Sequence, residues 1–246
     1  MITFSELKVR VKDGNSRYKE VLTIEHEGAV YSGRLLGILG PSGAGKSTFL
    51  NLLSGRMRQS SSIATALSAE TVVGSDISPA LRGEEIAFIH QDDTFFSMLS
   101  VMETLNFASQ LRLPAENTHA RTSAIEESIA SMALLNVRNS AVGDPLGKRG
   151  ISGGERKRLS VACELLSKPK LLIADEPTSG IDSYQALSVV KQIKRAVVDR
   201  NIIGVTTLHQ PRSSIFALID DLLVLAPGGR VVYHGERDKL LSYLQK

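Results

Sequence analysis

Nine consecutive residues carry the clearest chemistry: Gly40, Pro41, Ser42, Gly43, Ala44, Gly45, Lys46, Ser47 and Thr48. They fit G-x-x-x-x-G-K-[ST], a pattern whose glycines let backbone N–H groups line a concavity that takes polyphosphate oxygens. A helix starting at the end of the loop adds its positive N-terminal end to the same anion. Lys46 contributes a point charge for β- and γ-phosphates, and the Ser47 hydroxyl is a hard oxygen ligand for Mg²⁺. A Gly-rich turn that happens to precede Lys-Ser is the plain alternative. The apolar run Leu35 to Leu39 before the loop and the helical run Ser47 to Leu53 after it argue against that alternative.

Four further groups belong with a phosphate site. The apolar run from Lys170 ends in Asp175, Glu176 and Pro177, as a buried parallel strand does when its C-terminal end faces a ligand crevice. Two adjacent carboxylates there call for a cation. Asp175 suits the coordination sphere of Mg²⁺ and Glu176 suits a general base acting on water, although a strand-end Asp-Glu pair can also cap the next helix. The strand Ile86 to Ile89 delivers Gln91, whose neutral amide can ligate Mg²⁺ or orient water, and a strand over Asn201 to Leu208 delivers His209, which can hydrogen-bond a γ-phosphate. Alone, each reads as an ordinary surface or structural residue. Ser152, Gly153, Gly154 and Glu155 have capping-box spacing and glycines that allow close approach, so they form either an anion-binding helix start or simply a loop before a helix. The neighbouring Lys148, Arg149, Arg156, Lys157 and Arg158 form either a solvated basic face or a phosphate-attracting screen.

The elements that must position these groups follow from periodicity. Phe4 to Val11 and Val21 to Val30, with turn residues Asp13 to Ser16 between them, predict a β-hairpin flanking the loop; Val11, Tyr18 and Tyr31 are the nearest candidates to cover a base. Ser60 to Pro79 reads as a loop-rich excursion. From Ser100 to about Val137 the pattern becomes helical, with a capping box at Ser100 to Glu103 and a stop at Pro114. Leu222 to Leu225 and Arg230 to Tyr233, around Pro227-Gly228-Gly229, predict a closing hairpin, and Lys239 to Gln245 a short helix. Phe95, Phe96, Met98 and Leu99 either pack the helical insert or line a groove that receives another chain.

At 246 residues and 42% apolar, the chain can bury one substantial core, which excludes disordered and fibrous classes. A net charge of +3 does not demand a nucleic-acid surface, and no nucleic-acid partner is assigned. The single cysteine, Cys163, lies in an apolar helical pattern and reads as packing, which excludes an internal disulfide framework and suggests a reducing compartment. No apolar run approaches 18 residues, so a membrane role would have to come through sequence or a subunit outside this stretch.

Taken together, the order of phosphate loop, strand-end Gln91, helical insert, Ser152 helix, Asp175-Glu176 strand, Ser179-Gly180-Ile181-Asp182 and strand-end His209 resembles the nucleotide-binding domain of ABC transporters over nearly the whole chain. Val101 to Ala108, Gly150 to Ser160, Asp175 to Asp182 and His209 to Ser214 look like the G, or White-type, subfamily. The resemblance implies an α/β fold: a P-loop NTPase core with a mostly parallel sheet, an N-terminal antiparallel β subdomain and an all-α subdomain. It implies one domain over 1–246, with 1–91 and 151–246 as core and about 92–150 as helical subdomain. It also implies ATP and Mg²⁺, and a head-to-tail dimer, homo- or heteromeric, in which Ser152 and Gly154 touch the partner's γ-phosphate and Asp182 lies at the seam. A transmembrane domain, in the same full-length chain or as a separate subunit, would place the protein at the cytoplasmic face of a membrane and couple hydrolysis to export of a lipid-like or amphipathic substrate. The alternative is an ATP-gated dimerisation module not coupled to transport.

Overall fold

The computed structural model describes residues 1–12, 18–25, 27–56, 72–78, 81, 83–114, 118–144 and 150–245. In chain order its elements are β1 (Ile2–Lys12), β2 (Tyr18–Ile24), β3 (Gly28–Val30), β4 (Leu35–Leu39), α1 (Lys46–Leu53), β5 (Val72–Ser78), β6 (Ile86–Ile89), α2 (Val101–Arg112), α3 (Thr118–Ser131), α4 (Gly153–Leu165), β7 (Leu171–Ala174), α5 (Ser183–Asp199), β8 (Ile203–Thr207), α6 (Ser213–Phe216), β9 (Asp221–Leu225), β10 (Val231–Glu236) and α7 (Leu240–Leu244).

Strands that are apolar at nearly every position must be covered on both faces, so they gather in the middle of a sheet. Here they form a six-stranded sheet in the order β10-β9-β4-β8-β7-β6. The pairs β9/β4, β4/β8, β8/β7 and β7/β6 are parallel, and β10 joins antiparallel as the hairpin partner of β9. Alternation along each strand sends side chains to two separate cores. Leu36 and Ile38 of β4, Leu171 and Ile173 of β7 and Ile203 and Val205 of β8 enter one core with Phe49 of α1 and Phe4, Leu7 and Leu22 of β1 and β2. Leu35, Leu172 and Ala174 enter the other with Leu105, Ile125, Leu159, Val189 and Ile193 of α2, α3, α4 and α5. Arg34 pins the start of β4 to β9 through a bidentate contact with Asp221, at 2.7 Å from Nε and 2.6 Å from Nη2, and that contact raises its pKa further.

The N-terminal strands form a separate antiparallel sheet around β1. It differs from the expected hairpin in two ways. The stretch Val21 to Val30 is two strands, β2 and β3, which pair with successive parts of one edge of β1: Leu7 to Lys12 and Ile2 to Phe4. The other edge is taken by β5, from within the predicted loop excursion, paired from Thr3↔Ser78 to Arg10↔Val72. Val72-Val73-Gly74-Ser75-Asp76-Ile77-Ser78 has little period-two contrast, so its strand character comes from the backbone groups that β1 offers, not from its own pattern. Residues 60–71 and 79 of that excursion, and turn residues 13–16, lie outside the described residues.

Between β6 and α4 the chain is helical. Ser100 and Glu103 form a reciprocal capping box at the start of α2, which ends just before Pro114. On α3, Ala124, Ile125, Ser128 and Ile129 make the buried face. Cys163 is buried in α4 and pushed up to about 12 by desolvation, so the thiol acts as packing.

Candidate active site

The phosphate loop is built by its glycines. Gly43 and Gly45 hold φ of 75° and 86°, in the left-handed region open to glycine. A side chain at Gly45 would place Cβ 2.5 Å from the Val21 carbonyl oxygen, so β2 lies directly against the loop. Gly45 caps α1 with no side-chain hydrogen bond, which leaves the amide donors of the first turn to the loop's concavity. Lys46 is buried, and its Nζ donates to the carbonyls of Gly40 at 3.0 Å and Pro41 at 3.1 Å. The ammonium is thereby folded back across the loop.

Four neighbouring parallel strands bring the remaining groups to one edge of the sheet. In the order β4, β8, β7, β6, their C-terminal ends lead into the phosphate loop, His209, Asp175-Glu176 and Gln91. Thr207, at the end of β8, ties two of these together. Its hydroxyl donates to Asp175 Oδ1 and accepts from the Glu176 N–H, both at 2.7 Å. Glu176 has φ of 46°, an uncommon conformation for a non-glycine residue, and this hydroxyl helps to hold it. Thr207 was missed in the sequence because a hydroxyl inside a β-branched strand looks like strand propensity alone. The Gln91 amide donates to Ser179 Oγ at 3.3 Å, on the turn that leaves Glu176. His209 is exposed at the same edge.

The helix start at Ser152 lies on α4. Ser152 and Glu155 complete a reciprocal capping box, and Ser152 and Gly153 are exposed. The Gly154 N–H donates to Gln185 Oε1 at 2.6 Å, so α5 occupies that amide within the chain. Asp182 caps α5, accepting from Tyr184 N at 2.9 Å and Gln185 N at 3.0 Å. Arg156 and Lys157 of the basic cluster form neither a solvated face nor a phosphate screen. Arg156 and Lys157 are buried; Arg156 donates to the carbonyls of Val142 and Gly143, and Lys157 to those of His90 and Gln91. Long cationic side chains one turn into a helix reach backbone carbonyls that the sheet and helices leave unpaired. Lys148 and Arg149 lie outside the described residues.

The donor chemistry fits Mg²⁺. The Ser47 hydroxyl, the Gln91 amide and the Asp175 carboxylate are all hard oxygen ligands of the kind this ion takes alongside phosphate and water. Among the described residues no group of three or more His, Cys, Asp or Glu side chains could hold a metal by itself. A cavity of about 1120 Å³ lies elsewhere, between the N-terminal sheet and β10, and includes Tyr31 but no phosphate-loop residue. Tyr31 faces that cavity; the side chains of Val11 and Tyr18 lie outside the described residues.

A sequence profile of the ABC transporter family matches residues 25–179. The chain belongs to that family. Curated relatives of this ABC cassette carry G-family names: an ABC transporter G family member 7 from Arabidopsis thaliana is 38% identical over 239 residues, 97% of this chain and 32% of the relative. The G family member STR from Medicago truncatula is 37% identical over 245 residues, 99% of this chain and 29% of the relative. The cassette thus spans about a third of the length of these relatives. Its fold is shared by a dimeric bacterial ABC transporter cassette, at TM-score 0.71 and 20% identity over 96% of this chain and 99% of that one. It is also shared by a post-hydrolysis cassette bound to ADP and phosphate, at TM-score 0.72, 19% identity and the same coverage. The cassette is an ATPase of the ABC type.

Proposed function

We propose that this cassette powers transport across a membrane by ATP-driven pairing with a second cassette. The observation that carries the reading is the convergence of phosphate loop, Gln91, Asp175-Glu176 and His209 at four adjacent strand ends. In this reading the loop and the Lys46 ammonium hold the triphosphate, and Glu176, fixed by Thr207, accepts the proton of the attacking water. His209 hydrogen-bonds the γ-phosphate, and Gln91, Ser47 and Asp175 are the residues that would hold Mg²⁺. That ion, when bound, supplies charge neutralisation of the phosphates. Ser152 and Gly153, exposed on α4, complete the site of the partner cassette, an identical copy or a homologue. Gly154 joins them once its N–H leaves Gln185.

The membrane part enters through the relatives, whose names are those of transporters and whose length is about three times that of this chain. Among the described residues no helix is long and apolar enough to cross a membrane. A transmembrane domain, in the same full-length chain or a separate subunit, is therefore the assigned partner, with the cassette at its cytoplasmic face and export of a lipid-like or amphipathic substrate as the output. A groove suited to receive it runs between β6 and α2, lined by Phe88, His90, Phe95, Phe96, Phe107 and Leu111. Phe96 and Met98 are 66% and 90% exposed, which supports a surface role for these two, while Phe95 packs against the core of the helical insert. Light scattering of Glu176→Gln tests the reading. With ATP and Mg²⁺ the variant is expected to accumulate at twice the monomer mass while hydrolysing nothing; a monomer at saturating ATP would refute the pairing.

A further inference from the structure

Arg156, Lys157 and Arg158 lie one turn inside α4, and Lys157 is used in a way that a surface lysine is not. Its side chain is 3% exposed, and its Nζ sits 2.9 Å from Asp93 Oδ2, whose own side chain is 6% exposed. The same ammonium donates to the Gln91 carbonyl at 2.9 Å and to the His90 carbonyl at 3.1 Å. An ammonium has three donors and no acceptor, and here all three end on the four residues that follow β6. Burial pushes the Asp93 carboxyl up, with the Lys157 contact opposing. A buried Lys–Asp pair gives little stability over two well-packed apolar side chains, so stability alone does not account for it. Arg156 makes a contrast, because its contacts with Val142 and Gly143 tie α4 to the end of the helical segment and not to the site.

We propose that Lys157 is a positioning residue for hydrolysis. It fixes the backbone of Gln91, and so the amide that reaches Ser179 beside Glu176, from a helix whose exposed start is the surface offered to the partner's nucleotide. Lys157 is five residues beyond Ser152, about 7.5 Å along a rigid helix. A displacement of the Ser152 end therefore reaches the Gln91 backbone through Lys157 without an intervening flexible segment. Hydrolysis in one site thereby depends on the other cassette being seated. The inference rests on the assignment of Gln91 to the Mg²⁺–phosphate site made above.

The decisive variant removes both charges. Lys157→Met/Asp93→Leu leaves no unpaired buried ion, and its Tm is expected to stay close to the parent's. Affinity for a fluorescent ATP analogue without Mg²⁺ is expected to be unchanged. Hydrogen exchange of the backbone amides in 89–94 should quicken without nucleotide. The kcat should fall, and the Mg²⁺ concentration for half-maximal hydrolysis rise, each by about tenfold or more. Asp93→Asn keeps Lys157 on the Gln91 carbonyl and should retain the parent's exchange rates and Mg²⁺ midpoint; a shift as large as the double variant's would overturn the assignment to Lys157. Gln91→Ala, run in parallel, separates the two readings. If it impairs the Mg²⁺ response while a stable double variant matches the parent in exchange and in Mg²⁺ dependence, the positioning role fails alone. If Gln91→Ala matches the parent, the Gln91 assignment fails and takes the positioning role with it.

Discussion

Replacing Phe96 with serine separates a surface that couples the cassette to a membrane partner from a core that merely holds the helical insert together. Phe96 is 66% exposed, so about a third of its area is hidden, and its ring lies edge-on to that of Phe107 at 6.0 Å between centroids. A phenylalanine has roughly 200 Å² to bury. A third of that is about 70 Å², and at about 25 cal/mol per Å² its loss costs about 1.7 kcal/mol as an upper figure. A fully buried phenylalanine would cost about 3–5 kcal/mol. For a chain of this size each kcal/mol moves Tm by about 2–4 °C. Phe96→Ser should therefore lower Tm by about 3–7 °C, and Met98→Ser, at a position 90% exposed, should barely change it. Leu105→Ala, at a residue with no exposure, supplies the core reference at about 2–5 kcal/mol. Urea unfolding of the three variants gives the stabilities, and ATPase assays should find Phe96→Ser and Met98→Ser near the parent rate. With the proposed membrane partner present, both should lower transport without lowering hydrolysis. A Phe96→Ser loss as large as that of Leu105→Ala, with ATPase falling alongside it, would return Phe96 to the core and refute the coupling surface.

Ser152→Asp keeps a good helix cap, so Tm should hold, but it adds negative charge where a partner's phosphate would land; ATP-dependent doubling of mass in sedimentation should disappear while nucleotide binding persists. This is a cleaner test than Gly154→Asp, because a Cβ at Gly154 would already meet Gln185 Cβ and Oε1 at 2.8 Å. Thr207→Val removes the hydroxyl shared by Asp175 and the Glu176 N–H; a cost of about 1–3 kcal/mol and a kcat loss with little change in KM are expected, and unchanged steady-state kinetics would count against the clamp. Cys163, buried and pushed up to about 12, should carry almost no thiolate at pH 8, where an ordinary thiol is about a quarter ionised; labelling by a thiol reagent should wait for urea, and rapid native labelling would contradict its place in α4.

What the sequence by itself determined is what local rules decide. The phosphate loop needs glycines at fixed offsets between a strand and a helix, and the caps at Ser100 and Ser152 need partners three residues away, so each could be read within a short window. The apolar runs at 86–89 and 171–174 and the β-branched run at 203–207 read as core strands within a short window, and they place Gln91, Asp175-Glu176 and His209 at strand ends. Only the tertiary structure decided which side chains meet across long separations. Val72–Ser78 is a strand because β1 has an open edge, over 60 residues away. The Thr207 hydroxyl reaches residues 31 and 32 positions back, and Lys157 serves carbonyls 66 and 67 positions back. A lysine in a basic run is a solvated cation by every local rule, and it becomes a buried one only where the fold brings three acceptors to its one ammonium.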